Sequence, residues 1–231
     1  MDGLIFILLL LIFSGLLYFF YRSYEKEGIS VFLVIAVVLS FVLSLKIGKI
    51  TSFDTILYAP VYMAIFIAFY VLLEKGNSKD IKKCLYLIGF VCLVMIFMFI
   101  FSYLYLPIIS NGIAINIKKL FVNNWVNILV FPILLVINVL ASIYLYKYTK
   151  KYYDHIFVNS CFASIVVQLI DSLVLGFLSL YNILDVTNIF RISLMTYSFK
   201  LMANILYIPV FYYVLKYRRP KQWMNFYYLE R

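Results

Sequence analysis

IFVNSCFASIVVQLIDSLVLGFLSLY, residues 156–181, decides the fold. It is apolar over a length that crosses a bilayer, which takes about 20 residues of helix. Asp171 is the one charged residue in it and lies near its middle. A carboxylate at the centre of a spanning helix costs roughly 2.5–3.5 kcal/mol on insertion scales, so it turns to a protein interior or a water-filled cavity instead of lipid. Gln168, three residues earlier, and Ser164, seven earlier, fall on the same helical face. The segment is therefore a spanning helix with a polar stripe, and the stripe is where something polar is bound or moved.

The rest of the chain follows suit. Of its 231 residues, 66% are hydrophobic and 13% charged, and the mean hydropathy is +1.02. Soluble domains run near about 45–50% apolar and about 25% charged. An all-α polytopic membrane protein follows, in one integral membrane domain. Richness in Ile, Asn, Lys and Tyr suggests an AT-rich bacterial or phage genome, and hence a multi-pass protein of a bacterial cell membrane. The net charge of +10 does not imply nucleic acid, because the basic residues sit in short loops between spans. There they set topology and meet anionic lipid head groups.

Seven spans are expected, at about 3–21, 29–45, 56–73, 84–106, 125–146, 156–181 and 198–217, with a short basic cytoplasmic tail at 218–231. The first lacks a basic leader and a small-residue cleavage site, so it reads as a retained helix. The piece at 186–199 is only moderately apolar and reads as a short interfacial or re-entrant helix. Pro60, Pro132 and Pro209 lie inside three spans and are expected to kink them. Trp125 and Trp223 sit at span ends, as interfacial anchors do.

Charge tests the count. The loops after spans one, three and five, together with the C-terminal end, carry fourteen basic residues, among them Lys75, Lys79, Lys82, Lys83, Lys147, Lys150 and Lys151. The opposite side carries five: Lys46, Lys49, Lys118, Lys119 and Arg191. The positive-inside rule puts the C-terminus in the cytoplasm and the N-terminus outside.

Other polar residues fall inside spans at helical spacing. Lys200, Asn204 and Tyr207 share a face, as do Asn138 and Ser142, Tyr58 and Tyr62, and Ser40 and Ser44. Glu74 closes the third span. Most such Ser and Asn residues serve as helix–helix contacts averaging about 0.6 kcal/mol. Asp171 is different, because its depth is expensive. Lys200 either snorkels to the interface or pairs with Asp171. Cys84, Cys92 and Cys161 are dispersed in apolar segments and read as small buried hydrophobes. They and the single His155 offer no metal spacing and no catalytic triad, so neither an enzyme, a cofactor nor a metal site is expected.

Three blocks resemble the vitamin uptake transporter family, also called the queuosine precursor transporter family. The first is YAPVYMAIFIAFYVLLEKGNSKDIKKCLYLIGF, residues 58–90, a proline-containing span ending in an acid, followed by a glycine and a basic run. The second is FVNSCFASIVVQLIDSLVLGFL, residues 157–178, with the signature Gln168-Leu169-Ile170-Asp171. The third is YSFKLMANILYIPVFYYVLKYRR, residues 197–219, with Lys200, Pro209 and Phe211. The family carries an acid where this chain has Tyr70 and an arginine where it has Asn159. The resemblance implies a carrier importing deazaguanine precursors of queuosine, or a related nucleobase-like or vitamin-like solute.

Two readings follow from different classes. In the first, Asp171, Gln168, Lys200 and Asn204 bind a small-molecule substrate within the lipid bilayer, with Glu74, Ser164 and Asn138 as secondary or gate residues. Such a carrier works as a homo-oligomer or with an energising ATPase partner. In the second, the chain is a non-transporting membrane scaffold or assembly protein of the same fold. A cavity reaching Asp171 favours the carrier, and a tightly packed Asp171–Lys200 pair favours the scaffold.

Overall fold

The computed structural model describes residues 2–45, 47–50, 53–56, 58–104, 112–181 and 184–216. Six helices carry it: α1 (Asp2–Ser44), α2 (Ala59–Lys75), α3 (Ser78–Leu104), α4 (Gly112–Lys150), α5 (Ile156–Leu180) and α6 (Val186–Lys216). A small antiparallel hairpin of β1 (Ile47–Ile50) and β2 (Phe53–Ile56) joins α1 to α2, with Ile47 opposite Ile56. Five of the helices, all but α2, are long and apolar enough to cross a membrane. This is the architecture of a multi-pass membrane protein.

The first two expected spans are one helical run broken at Glu25, whose φ of 51° and ψ of −125° lie outside the helical region. The break folds the run back on itself. In a straight helix Phe13 and Phe32 would be about 28 Å apart at 1.5 Å per residue, yet their rings meet edge-on at 6.0 Å. Gly28 is needed at the bend, because a Cβ there would lie 2.0 Å from the Phe20 carbonyl oxygen.

The third expected span is the hub. Every residue of α2 from Ala59 to Leu72 is buried, as befits a helix that is apolar all round. α1, α4 and α6 pack around it. Pro60 stands in the first turn of α2, where a missing N–H costs nothing, so it starts the helix and does not kink it. Pro132 and Pro209 do lie inside α4 and α6.

Two other expectations are corrected. Residues 186–199 are not a separate interfacial or re-entrant piece, since α6 runs unbroken from Val186 to Lys216. Its periodic burial at Ile189, Ile192, Ser193, Thr196 and Lys200 shows one face committed to the bundle from the start, which mean apolarity does not reveal. Likewise α4 begins at Gly112, well before the expected 125. The tail 218–231 with Trp223 and the side chains of Lys46, Lys49, Lys118, Lys119 and Trp125 lie outside the described parts.

Packing pairs set the helix directions. α2, α4 and α6 run parallel, since Tyr62 meets Asn138 and Glu74 meets Lys150, while Tyr70 packs on Phe211. α5 runs opposite to them: Asn138 bonds Asp171 and Asn127 bonds Ser179. The first half of α1 follows α6, through Phe6 with Phe199 and Tyr18 with Tyr213. Its second half runs with α3, through Ser30 with Cys84 and Phe41 with Phe99.

Candidate functional site

Asp171 and Lys200 meet where α5 and α6 cross the hub. Their ion pair is closed, with side chains 1% and 0% exposed. Four elements build the surroundings. Asn138 of α4 donates its amide to Asp171 Oδ1 and to Tyr62 Oη, the latter at 3.2 Å. The Tyr58 hydroxyl donates to Asp171 Oδ2 at 3.5 Å. The Lys200 ammonium lies 4.9 Å from the Tyr58 ring centroid and 4.8 Å from that of Tyr62, within the range of cation–π attraction. Tyr58, Tyr62 and Phe131 pack edge-on or tilted against one another at 5.0–5.8 Å. The carboxylate thus has three donors, and the ammonium has a carboxylate and two ring faces. That is what charges this deep require.

One turn along α5, the satisfaction ends. Gly176 packs on Ser193 so closely that a Cβ would lie 1.9 Å from its hydroxyl. With Asp171 on Lys200, this fixes an antiparallel register that brings Gln168 level with residues 201–203. Gln168 is fully buried, and neither its amide nitrogen nor its oxygen has a partner among the described residues. The same holds for Asn204 Oδ1 and Tyr207 Oη on α6. Asn204 has one weak contact, from Nδ2 to Cys161 Sγ at 3.9 Å. On the other side of the ion pair, Ser172 and Ser193 are also buried without partners.

Toward the ends of α2 and α4 the polar groups are satisfied again. Tyr70 Oη bonds Ser142 Oγ at 2.6 Å and Ser164 Oγ at 3.2 Å. Tyr146 stacks on Tyr70 at 4.8 Å and donates to Glu74 Oε1 at 2.9 Å. Lys150 closes the file on the same oxygen at 2.6 Å. Glu74 lies about 18 Å along α2 from Tyr62 at 1.5 Å per residue, so it is an edge residue and not part of the central group.

The expected site residues therefore separate into three sets. Asp171, Lys200 and Asn138 are in direct contact. Gln168 and Asn204 face each other's helix one turn away. Ser164 and Glu74 belong to the hydroxyl file. Sequence reasoning placed Lys200 between snorkelling and pairing, and the structure has it paired. It missed the file through Tyr70, Ser142 and Tyr146, and treated Tyr70 only as a departure from the family. The signal was there: Tyr62, Phe66, Tyr70 and Glu74 recur every four residues, and so do Asn138, Ser142, Tyr146 and Lys150. Two such ladders on parallel helices face each other rung by rung. Asn159, the other departure, donates to the Tyr153 carbonyl at 3.0 Å.

Among the described residues no group of three His, Cys, Asp or Glu could hold a metal ion. Comparison with protein-family models, with curated proteins and with solved structures finds no match to this chain.

Proposed function

We propose that the chain is a carrier that brings a small planar nitrogen-rich solute across the cell membrane. The solute is a queuosine precursor of the deazaguanine type, or a related nucleobase or vitamin. The observation that carries this reading is the row of unpartnered polar atoms on Gln168, Asn204 and Tyr207 beside the closed ion pair. Each buried polar atom left unpaired costs about 1–3 kcal/mol, against a total folding stability of about 5–15 kcal/mol for a typical domain. A scaffold gains nothing by keeping four of them on the two helices that carry the ion pair. A carrier recovers the cost when a solute supplies the missing partners.

The chemistry fits a flat heterocycle. When the pair parts, Asp171 accepts two N–H bonds from a guanine-type edge or pairs with a primary ammonium group. Lys200 meets a carbonyl oxygen, and Gln168 donates and accepts beside it. Tyr58 and Tyr62 offer ring faces for stacking. The hydroxyl file ending at Glu74 closes the route toward the basic edge. In this reading the folded-back α1 supplies two crossings and α2 a third, seven in all. The N-terminus is outside, and the lysine-rich ends of α2 and α4 are in the cytoplasm. The alternating helix directions and the loop charges support that arrangement.

The test is uptake, or rescue of queuosine formation in a strain that can neither make nor import the precursor. Asp171→Asn abolishes it while the amount of protein in the membrane stays normal. Undiminished uptake in this variant overturns the proposal.

One observation favours the second reading, a scaffold or assembly protein of the same fold. The Asp171–Lys200 pair is packed out of contact with any water-sized space. Under that reading Asp171→Asn lowers the amount of protein in the membrane and changes no solute flux.

A further inference from the structure

A groove of about 740 Å³ runs between α3 and α4 on the outside of the bundle. It exists because two backbones are thin there. A Cβ on Gly89 of α3 would meet nothing within 4 Å, and Pro132, inside α4, lines the groove with a short ring. Cys92 and Val136 also line it, and Leu140 marks its reach along α4. Its lining is apolar except toward one end, where Lys82 stands with the Tyr86 hydroxyl one turn along. Lys82 is exposed and makes no ion pair among the described residues, whereas its neighbour Lys83 faces Glu27 at 3.9 Å. Exposed Lys79 lies one turn earlier on the same helix.

Length argues for the occupant. From Lys82 to Ile96 the groove follows α3 for about 21 Å at 1.5 Å per residue. One leaflet of a bilayer has about 15 Å of hydrocarbon, half of the roughly 30 Å core, with the head-group layer beyond it. An apolar channel of leaflet length with a cation at its interfacial end has the shape and charge of a phospholipid. We propose that this groove is a binding site for one anionic phospholipid, an acyl chain lying over Gly89 and Pro132 and the head-group phosphate meeting Lys82. α4 carries the groove on one face and Asn138 of the central site on the opposite one, so the lipid braces the helix that holds Asp171. This inference does not depend on what the protein transports.

Native mass spectrometry of the purified full chain tests it, after equilibration in mixed micelles with phosphatidylglycerol and phosphatidylcholine in equal amounts. The expected result is one retained phosphatidylglycerol, favoured over phosphatidylcholine roughly fivefold, the contribution of one basic residue near an anionic group. Lys82→Gln removes the preference. Gly89→Leu fills the groove and removes the retained lipid, with helical content unchanged by circular dichroism. Ile137→Trp, from an exposed position on the α4 wall, does the same should Gly89→Leu fail to fold. Equal retention of both lipids means ordinary boundary lipid and overturns the proposal. So does retention in the two filled variants, or a groove covered by a second copy of the chain in a stable dimer.

Discussion

Gln168 carries an amide with four hydrogen-bonding sites into a fully buried position and satisfies none of them. Asp171, one turn on, has three donors. The contrast separates a charge that the fold satisfies from an amide that it leaves unsatisfied. Replacing Gln168 with an apolar residue of similar size therefore tests its role without harming the fold. Gln168→Leu leaves stability unchanged or raises it by about 1–3 kcal/mol, the cost of the unpaired amide, while solute uptake falls. Thermal unfolding in detergent and an uptake assay on the same preparation read the two effects. A Gln168→Leu protein that loses stability assigns the amide a packing role instead. Asp171 was legible in the sequence because a lone charge in an apolar run has few explanations. The idle state of Gln168 was not, because partnership depends on side chains from other helices.

Among the elements, α1 depends most on a single bend. A helical run of 43 residues would extend about 64 Å at 1.5 Å per residue, twice the hydrocarbon thickness of a membrane. Folding back at Glu25 resolves this, and the close approach of Gly28 to the Phe20 carbonyl makes the fold-back tight. That neighbour is backbone and cannot turn aside. Gly28→Ala is expected to cost at least about 1–3 kcal/mol, the range for overpacking, and to lower the melting temperature of the purified protein. An unchanged melting temperature would show that the bend gives way freely. The expected spans at 3–21 and 29–45 match the two halves, since mean apolarity locates a span well. Apolarity alone misplaced the start of α6, because a helix whose one face lies against the bundle needs only a stripe of apolar residues.

For the whole molecule, the exposed turn at Tyr153 between α4 and α5 and the turn at Asp185 between α5 and α6 lie at opposite ends of α5. The proposed orientation puts Asp185 outside and Tyr153 in the cytoplasm. In intact cells, a membrane-impermeant thiol reagent should label Asp185→Cys and spare Tyr153→Cys, in a background with the three native cysteines changed to serine or alanine. The reverse pattern inverts the orientation, and equal labelling removes the crossing of α5. By itself the sequence determined the class of protein, the place of most helices and the turning of Asp171 into the bundle, because all three follow from how each segment partitions between water and hydrocarbon. Only the tertiary structure decided that α2 is a buried hub, that Lys200 and Asn138 complete Asp171, and that the Gln168 amide and the Asn204 side-chain oxygen stand unpartnered on the same two helices. Partition energy is a property of one segment and can be read along the chain. A partner is a property of two or more segments, and it exists only once their helices have packed.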